Sequence, residues 1–365
     1  MFQEMFSENR HRTIAMKKNY PEKPWKTFVL TVVMVLVVVV YISCSRKETE
    51  SSRSVQGTTF AMDTAITTTL YGGTEEDLSD TDRYLTDLGQ KLDWRVEGSL
   101  TETFNTEHQA DFSEFADMIE TILDVAEKSN GAFDPTILSV SKLWDFGGDN
   151  QRRPSDEEIQ TALSHVDHTK LTFSDGILST TDTDVQLELG AVGKGYAIME
   201  AADMLDRDRI PSALLSAGSS ITTFGERPGQ DGFRVGLRDP RGEADDLIGV
   251  LTVTDLSIAT SGDYERYFIE DGVRYHHILD GRTGYPADSG LMSVSVIHEN
   301  GTLCDALSTA GFILGLEEGM DLMDTYDAMA IFIDTDKNVY YNDETIMDFL
   351  DFQGSGEGYT LIQYH

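Results

Sequence analysis

From Gly57 onward the chain switches between a hydrophobic period of two and one of 3.6 without settling into a strand–helix–strand rhythm. That irregular mixing narrows the fold more than any other feature. Ala65-Ile66-Thr67-Thr68-Thr69-Leu70 alternates as a strand over 64–70. Helical spacing covers 80–91 and 112–128. The second stretch aligns Phe112, Phe115, Met118, Ile119, Ile122 and Val125 on one stripe and stops at Asn130-Gly131. Pro154-Ser155-Asp156-Glu157-Glu158 opens a further helix with acidic residues in its first turn. Strands are predicted at 171–173 and 177–179 around Asp175-Gly176, and at 185–189. A helix over 196–207, a strand over 213–216 and a β-rich stretch over 233–268 follow. The pattern closes with a strand at 293–297, a helix at 305–314, and a hairpin of 328–333 and 338–341 around Asp336-Lys337. The expected class is α+β, with mixed or antiparallel sheets and packed helices, not a doubly wound parallel sheet. No internal repeat or composition break divides this stretch, so one compact domain is expected over 57–352, followed by a tail over 353–365.

Charge excludes one class of partner. With 64 Asp and Glu against 28 Lys and Arg, the net charge is -36, which repels a polyphosphate backbone and argues against nucleic-acid binding. A phosphate-bearing small molecule would need a metal ion, a helix N-terminus or locally placed cations. The first residues read as a targeting segment over 1–43. Lys17, Lys18, Lys23 and Lys26 precede an apolar run over 28–40, and Tyr41-Ile42-Ser43-Cys44 resembles a bacterial lipobox. Cleavage and acylation at Cys44, leaving a polar tether over 44–56, is one expectation; an uncleaved anchor is the other. Both put the remaining chain outside the cytoplasm at the cell membrane. Cys304 is the only other cysteine, so a lipidated Cys44 leaves no internal disulfide.

Four segments carry groups suited to chemistry. In Leu187-Glu188-Leu189-Gly190-Ala191-Val192-Gly193-Lys194-Gly195-Tyr196-Ala197 a strand runs into three glycines and a lysine before a helix starts. Glycine lets backbone N–H groups approach an anion, although the spacing is not that of a P-loop, and a structural turn fits equally. In Cys304-Asp305-Ala306-Leu307-Ser308-Thr309-Ala310, Asp305 and Thr309 stand four apart and share a helix face. Their oxygens suit Mg²⁺; they also suit a helix cap and a hydroxyl bonded back to a carbonyl. His276 and His277, with Asp280 close behind, offer an imidazole for proton transfer or a structural pair, neighbours in a strand facing opposite ways. Phe133-Asp134-Pro135-Thr136 and Thr260-Ser261-Gly262-Asp263-Tyr264 are turn-rich segments of hydroxyls and aromatics.

Taken together and in this order, these segments resemble the FAD:protein FMN transferase (ApbE) family, from about Thr59 to Asn342. The resemblance implies a single ApbE-like (T-fold-like) catalytic domain after the signal segment. It implies Mg²⁺-dependent transfer of FMN from FAD to a Thr or Ser hydroxyl of a target protein, with release of AMP. It places Mg²⁺ on Asp305, Thr309 and the Ala191 carbonyl, and FAD contacts on Met62, Ala132, Phe133, Asp134, Glu188, Lys194 and Leu279. It makes His277 the proton-transfer group; Asp280, three residues on, is the expected orienting partner. The implied partners are FAD and flavin-accepting proteins with a motif near Asp-x-x-Ser/Thr-Gly-Ala-Thr. Asp280-Gly281-Arg282-Thr283-Gly284 begins like that motif, but Tyr285-Pro286 stands in the Ala-Thr places, which fits a donor enzyme. An FAD pyrophosphatase or a non-catalytic flavin-binding lipoprotein are the other readings. Three departures stand out: Glu188 where Asp is frequent, Gly281 where Pro is frequent, and Gly218-Ser219-Ser220 where Gly-Gly-Asn or Gly-Gly-Asp is commoner. The last loop is left out of the expected site.

Overall fold

The structure, a computed structural model, describes residues 53–365. The targeting segment, Cys44 and most of the expected tether lie outside the described residues. Nine strands form one sheet: β1 (Ser54–Ala61), β2 (Thr64–Tyr71), β3 (Ser212–Ala217), β4 (Ser220–Phe224), β5 (Ser257–Gly262), β6 (Leu291–His298), β7 (Met329–Asp334), β8 (Asn338–Tyr341) and β9 (Thr360–Gln363). Their order across the sheet is their order along the chain. Every neighbouring pair is antiparallel except β8 and β9, which run parallel. This is the α+β class expected, with sheet edges wider than the predicted domain. Ser54 to Gln56 already belong to β1, and the expected tail supplies β9, because Val339 and Leu361 pair in register.

Both faces of the sheet are covered, so its central strands are apolar on both sides. In β7, Ala330 and Phe332 join the core on the helical face, while Ile331 and Ile333 face the second core. A three-stranded sheet of Phe233–Arg238, Leu247–Val253 and Leu350–Phe352 contributes Val235, Leu251 and Leu350 to that second core. The helical face carries α1 (Glu75–Leu92), α2 (Ala116–Lys128), α3 (Gly193–Asp203) and α4 (Gly301–Leu314). The α2 stripe of Met118, Ile119, Ile122 and Val125 is buried as its spacing predicts. Phe112 and Phe115 are buried just before it, with Phe115 in a short 3₁₀ turn.

Helix starts differ from the periodicity because caps, not apolar residues, set them. α1 begins earlier than predicted because Thr74 and Asp77 form a capping box ahead of it. α4 begins at Gly301, where the Asn300 side chain accepts from the Leu303 N–H. Asp305 therefore sits in the second turn and is not the cap. The predicted strand at 185–189 is absent apart from a single bridge between Ile137 and Gln186. Asn105 takes both backbone groups of Leu187, and Pro135 takes the Glu188 N–H, so no strand ladder can form there.

α3 and α4 meet through two glycines. A Cβ on Gly195 would lie 2.2 Å from the Gly301 carbonyl oxygen, and one on Gly301 would lie 2.6 Å from the Gly195 carbonyl oxygen. This backbone-to-backbone approach carries the first turn of α3 to the Asp305 carboxylate. Gly195→Ala is expected to destabilise by about 1–3 kcal/mol, the usual range for overpacking against atoms that cannot rotate away. An unchanged thermal midpoint in that variant would show that the helices can part freely.

Candidate active site

The glycine segment, the first half of α4, the loop before β4, the end of β5, and the residues flanking the hairpin Tyr267–Glu270/Val273–His276 converge on one cleft of about 470 Å³. At its floor, the Asp305 carboxylate is buried and held by two donors. The Gly195 N–H reaches Oδ2 at 2.7 Å and the Ser220 hydroxyl reaches Oδ1 at 2.6 Å. Among the described residues no Lys, Arg or His forms an ion pair with it. A buried carboxylate without a cationic partner is costly, and a cation arriving from the cleft would relieve it. Thr309 and Ala191 line the same cleft. Carboxylate, hydroxyl and backbone carbonyl together make a hard-oxygen donor set that fits Mg²⁺. Another group with closely spaced ligand atoms, His165, Asp182 and Asp184, does not line the cleft, and Lys170 already holds Asp182 at 2.7 Å.

The two histidines face opposite ways, as adjacent residues at a strand end should. His276 turns inward, where Nε2 lies 3.0 Å from the Ala287 carbonyl and the ring meets Phe312 edge-on at 5.4 Å. His277 turns to the cleft. Its backbone N–H donates to the Arg266 carbonyl at 3.0 Å, closing the base of the hairpin, and its Nδ1 has no hydrogen-bond partner. Burial, helped by Arg266, His276 and Lys194, pushes its pKa down to about 3, so the imidazole is neutral near pH 7. The hairpin is seated on aromatic rings: Phe268 and Tyr275 stack at 5.4 Å, and Trp144 lies 5.5 Å from Tyr275.

Asp280 does not orient His277. Arg282 grips its two carboxylate oxygens through Nε and Nη2, both at 2.9 Å, and its backbone closes the turn to Thr283, Gly284 and Tyr285. A carboxylate so clamped shapes the loop and leaves the imidazole unpaired. Asp134 is similarly occupied: Oδ1 accepts from the Thr136 N–H and hydroxyl, and Oδ2 from the His168 N–H with His168 Nδ1 at 2.8 Å. That carboxylate raises the His168 pKa. Phe133 and Asp134 still line the cleft; Ala132 is fully buried, does not line it, and accepts from the Gly281 N–H at 3.0 Å.

The other expected ligand-contacting residues, Met62, Glu188, Lys194 and Leu279, all line the cleft. Glu188 accepts from the Ser141 hydroxyl at 2.6 Å, and burial raises its pKa. Lys194 Nζ donates to the Gly190 carbonyl at 3.3 Å. Met62 sits at φ 51°, a left-handed turn that aims its side chain at the glycine segment. The loop left out of the expected site belongs to it, since Gly218 and Ser219 line the cleft and Ser220 holds Asp305. Ser261, Ser141, Lys142, Trp94 and Arg266 also line it and were not expected as contacts. Lys142 lies 4.5 Å over the Trp94 ring. Two of them had a local signal: Ser261 within the turn-rich Thr260-Ser261-Gly262-Asp263-Tyr264, and Trp94 as an aromatic beside the cation Arg95.

Comparisons with known proteins bear on this cleft. The model of the ApbE family matches residues 62–333. The FAD:protein FMN transferase of Treponema pallidum is 36% identical over 238 residues, covering 61% of this chain and 66% of that protein. That of Klebsiella pneumoniae is 35% identical over 213 residues, covering 58% and 66%. The chain thus spans just under two thirds of the length of these curated relatives. The ApbE protein of Thermotoga maritima superposes with a TM-score of 0.73 at 31% identity, over 81% of this chain and 99% of that one. The flavin transferase ApbE of Vibrio cholerae shares the fold, with a TM-score of 0.72 at 22% identity over 81% and 99%.

Proposed function

Because the chain belongs to the ApbE family, we propose that its cleft takes FAD and transfers the FMN half to a hydroxyl of a target protein, releasing AMP. The observation that carries this reading is the pairing, in one cleft, of an imidazole that is neutral near pH 7 and a buried carboxylate without a cation. These are the two things that splitting a pyrophosphate with a hydroxyl requires: a proton acceptor and charge neutralisation.

Asp305, Thr309 and the Ala191 carbonyl would hold Mg²⁺, which when bound supplies positive charge to the pyrophosphate oxygens. The protein's own groups do the rest. The glycine segment lets backbone approach the phosphates, and the N-terminus of α3 adds a favourable dipole. His277 takes the proton of the acceptor hydroxyl as its oxygen attacks the FMN-side phosphorus. The bond from that phosphorus to the AMP phosphate breaks, AMP carries the electron pair away, and a phosphoester to the target protein remains. Neutrality of His277 near pH 7 supports this role, since a protonated imidazole has no lone pair to accept with.

Incubating the full chain with FAD and Mg²⁺, with and without a flavin-accepting protein, separates transfer from hydrolysis. AMP release that requires the acceptor, together with a mass increase on it, is the expected result. AMP release at the same rate without acceptor would replace this reading with an FAD pyrophosphatase.

A further inference from the structure

The hydroxyls around Asp305 and Thr309 can be followed proton by proton, since each has one proton to donate and two lone pairs to accept with. Ser308 donates its proton to the Asp305 carbonyl within α4, at 3.0 Å. Toward Ser261, whose Oγ is 2.9 Å away, Ser308 can therefore only accept. Ser261 gives its proton to Ser308 and has none for Thr309, 3.2 Å away, so Thr309 donates to Ser261. The Thr309 proton is thereby turned onto Ser261, and lone pairs are what its oxygen has left for the cleft it lines. Asp305 is set by the same logic. Donors from Ser220 and Gly195 meet one carboxylate oxygen each, which fixes the plane of the carboxylate.

Both serines stand on rigid strands. Ser220 of β4 pairs directly with Ala259 of β5, and Ser261 lies two residues further along β5, so the two side chains share a face of the sheet. Ser220 is 1% exposed, which shields its hydroxyl from solvent.

We propose that Ser261 and Ser220 are positioning residues for the metal pair: Ser261 presets Thr309 as a lone-pair donor, and Ser220 presets the orientation of the Asp305 carboxylate. The inference rests on the reading of Asp305 and Thr309 as Mg²⁺ ligands. It accounts for why a loop reading Gly-Ser-Ser in this chain can serve the site: a short hydroxyl at Ser220 is within reach of the carboxylate.

The test uses Mn²⁺ titrated into the full chain, with free Mn²⁺ followed by electron paramagnetic resonance and folding by thermal unfolding. Ser261→Ala is expected to weaken Mn²⁺ binding about 10–100-fold, the usual effect of removing a group that orients a ligand, with the unfolding midpoint kept. In a Thr309→Val background the same change should cause no further loss, because Ser261 acts through Thr309. Ser220→Ala should weaken binding similarly, and not further once Asp305 is alanine. Wild-type affinity in Ser261→Ala, or losses that add in the double variant, overturns the proposal while leaving the metal ligands standing. Wild-type affinity in Asp305→Ala overturns the metal reading, and this proposal with it.

Discussion

Asp305→Ala is expected to reduce Mg²⁺-dependent flavin transfer by roughly a thousandfold, about 4 kcal/mol of transition-state stabilisation, the scale of charge neutralisation by a bound cation. The expectation follows from the position of the carboxylate. It is buried, it lacks a cationic partner among the described residues, and two donors hold it facing a cleft that Thr309 and Ala191 share. Alanine removes the charge and strands the Ser220 hydroxyl and the Gly195 N–H, so some loss of stability accompanies the loss of rate. Asp305→Asn separates the two effects. Its amide oxygen can accept from Gly195 while its NH₂ donates to Ser220, whose hydroxyl can rotate to accept, so the fold is kept while the charge disappears. Covalent flavin on an acceptor protein, followed by fluorescence in a denaturing gel, is the readout. Transfer at the wild-type rate in Asp305→Asn would mean that the carboxylate's charge plays no part.

The second large effect concerns His277. His277→Ala should slow transfer by on the order of 10²–10⁴, the range of general acid–base catalysis, while FAD binding persists. The pH dependence carries a further signature. The ordinary histidine value is 6.5, and here burial brings it down to about 3. Transfer should therefore not fall off around pH 6.5 on account of this group, since the imidazole stays neutral well below that. Stability moves in a definite direction. Between about pH 6.5 and pH 3 the unfolded chain binds a proton at this position that the folded chain does not. The His277 contribution is thus fully present above about pH 6.5 and is lost progressively as the pH falls toward 3. His277→Ala should flatten the decline of stability over that window. Initial rates and thermal midpoints measured side by side across it decide the matter. A rate that halves near pH 6.5 in the wild type and not in the variant would show that His277 titrates like an exposed histidine.

Much of this molecule was legible along the chain because burial leaves a local trace. Strands β2, β3, β6 and β7 and helix α2 were predicted nearly where they stand, since a one-faced element repeats its apolar residues at a fixed period and a strand covered on both faces, such as β7, reads as a short apolar run. The four-residue spacing of Asp305 and Thr309 put both on one side of a helix, and the adjacent histidines had to face apart. The motifs together pointed to the family.

What the tertiary structure alone decided are contacts between distant residues. Ser220 reaches Asp305 from 85 residues away and Gly195 from 110, and no period or propensity encodes either bond. Asp280 lies three residues from His277, and proximity made it the natural orienting group. Arg282, nearer still, captured it instead. The stretch at 185–189 had the composition of a strand, but Asn105 took the backbone groups a ladder would have used. Periodicity reports which face of an element is buried. Which donor meets which acceptor is settled only when elements pack, because a hydrogen bond needs atoms within about 3 Å, a constraint that sequence spacing across a whole chain does not carry.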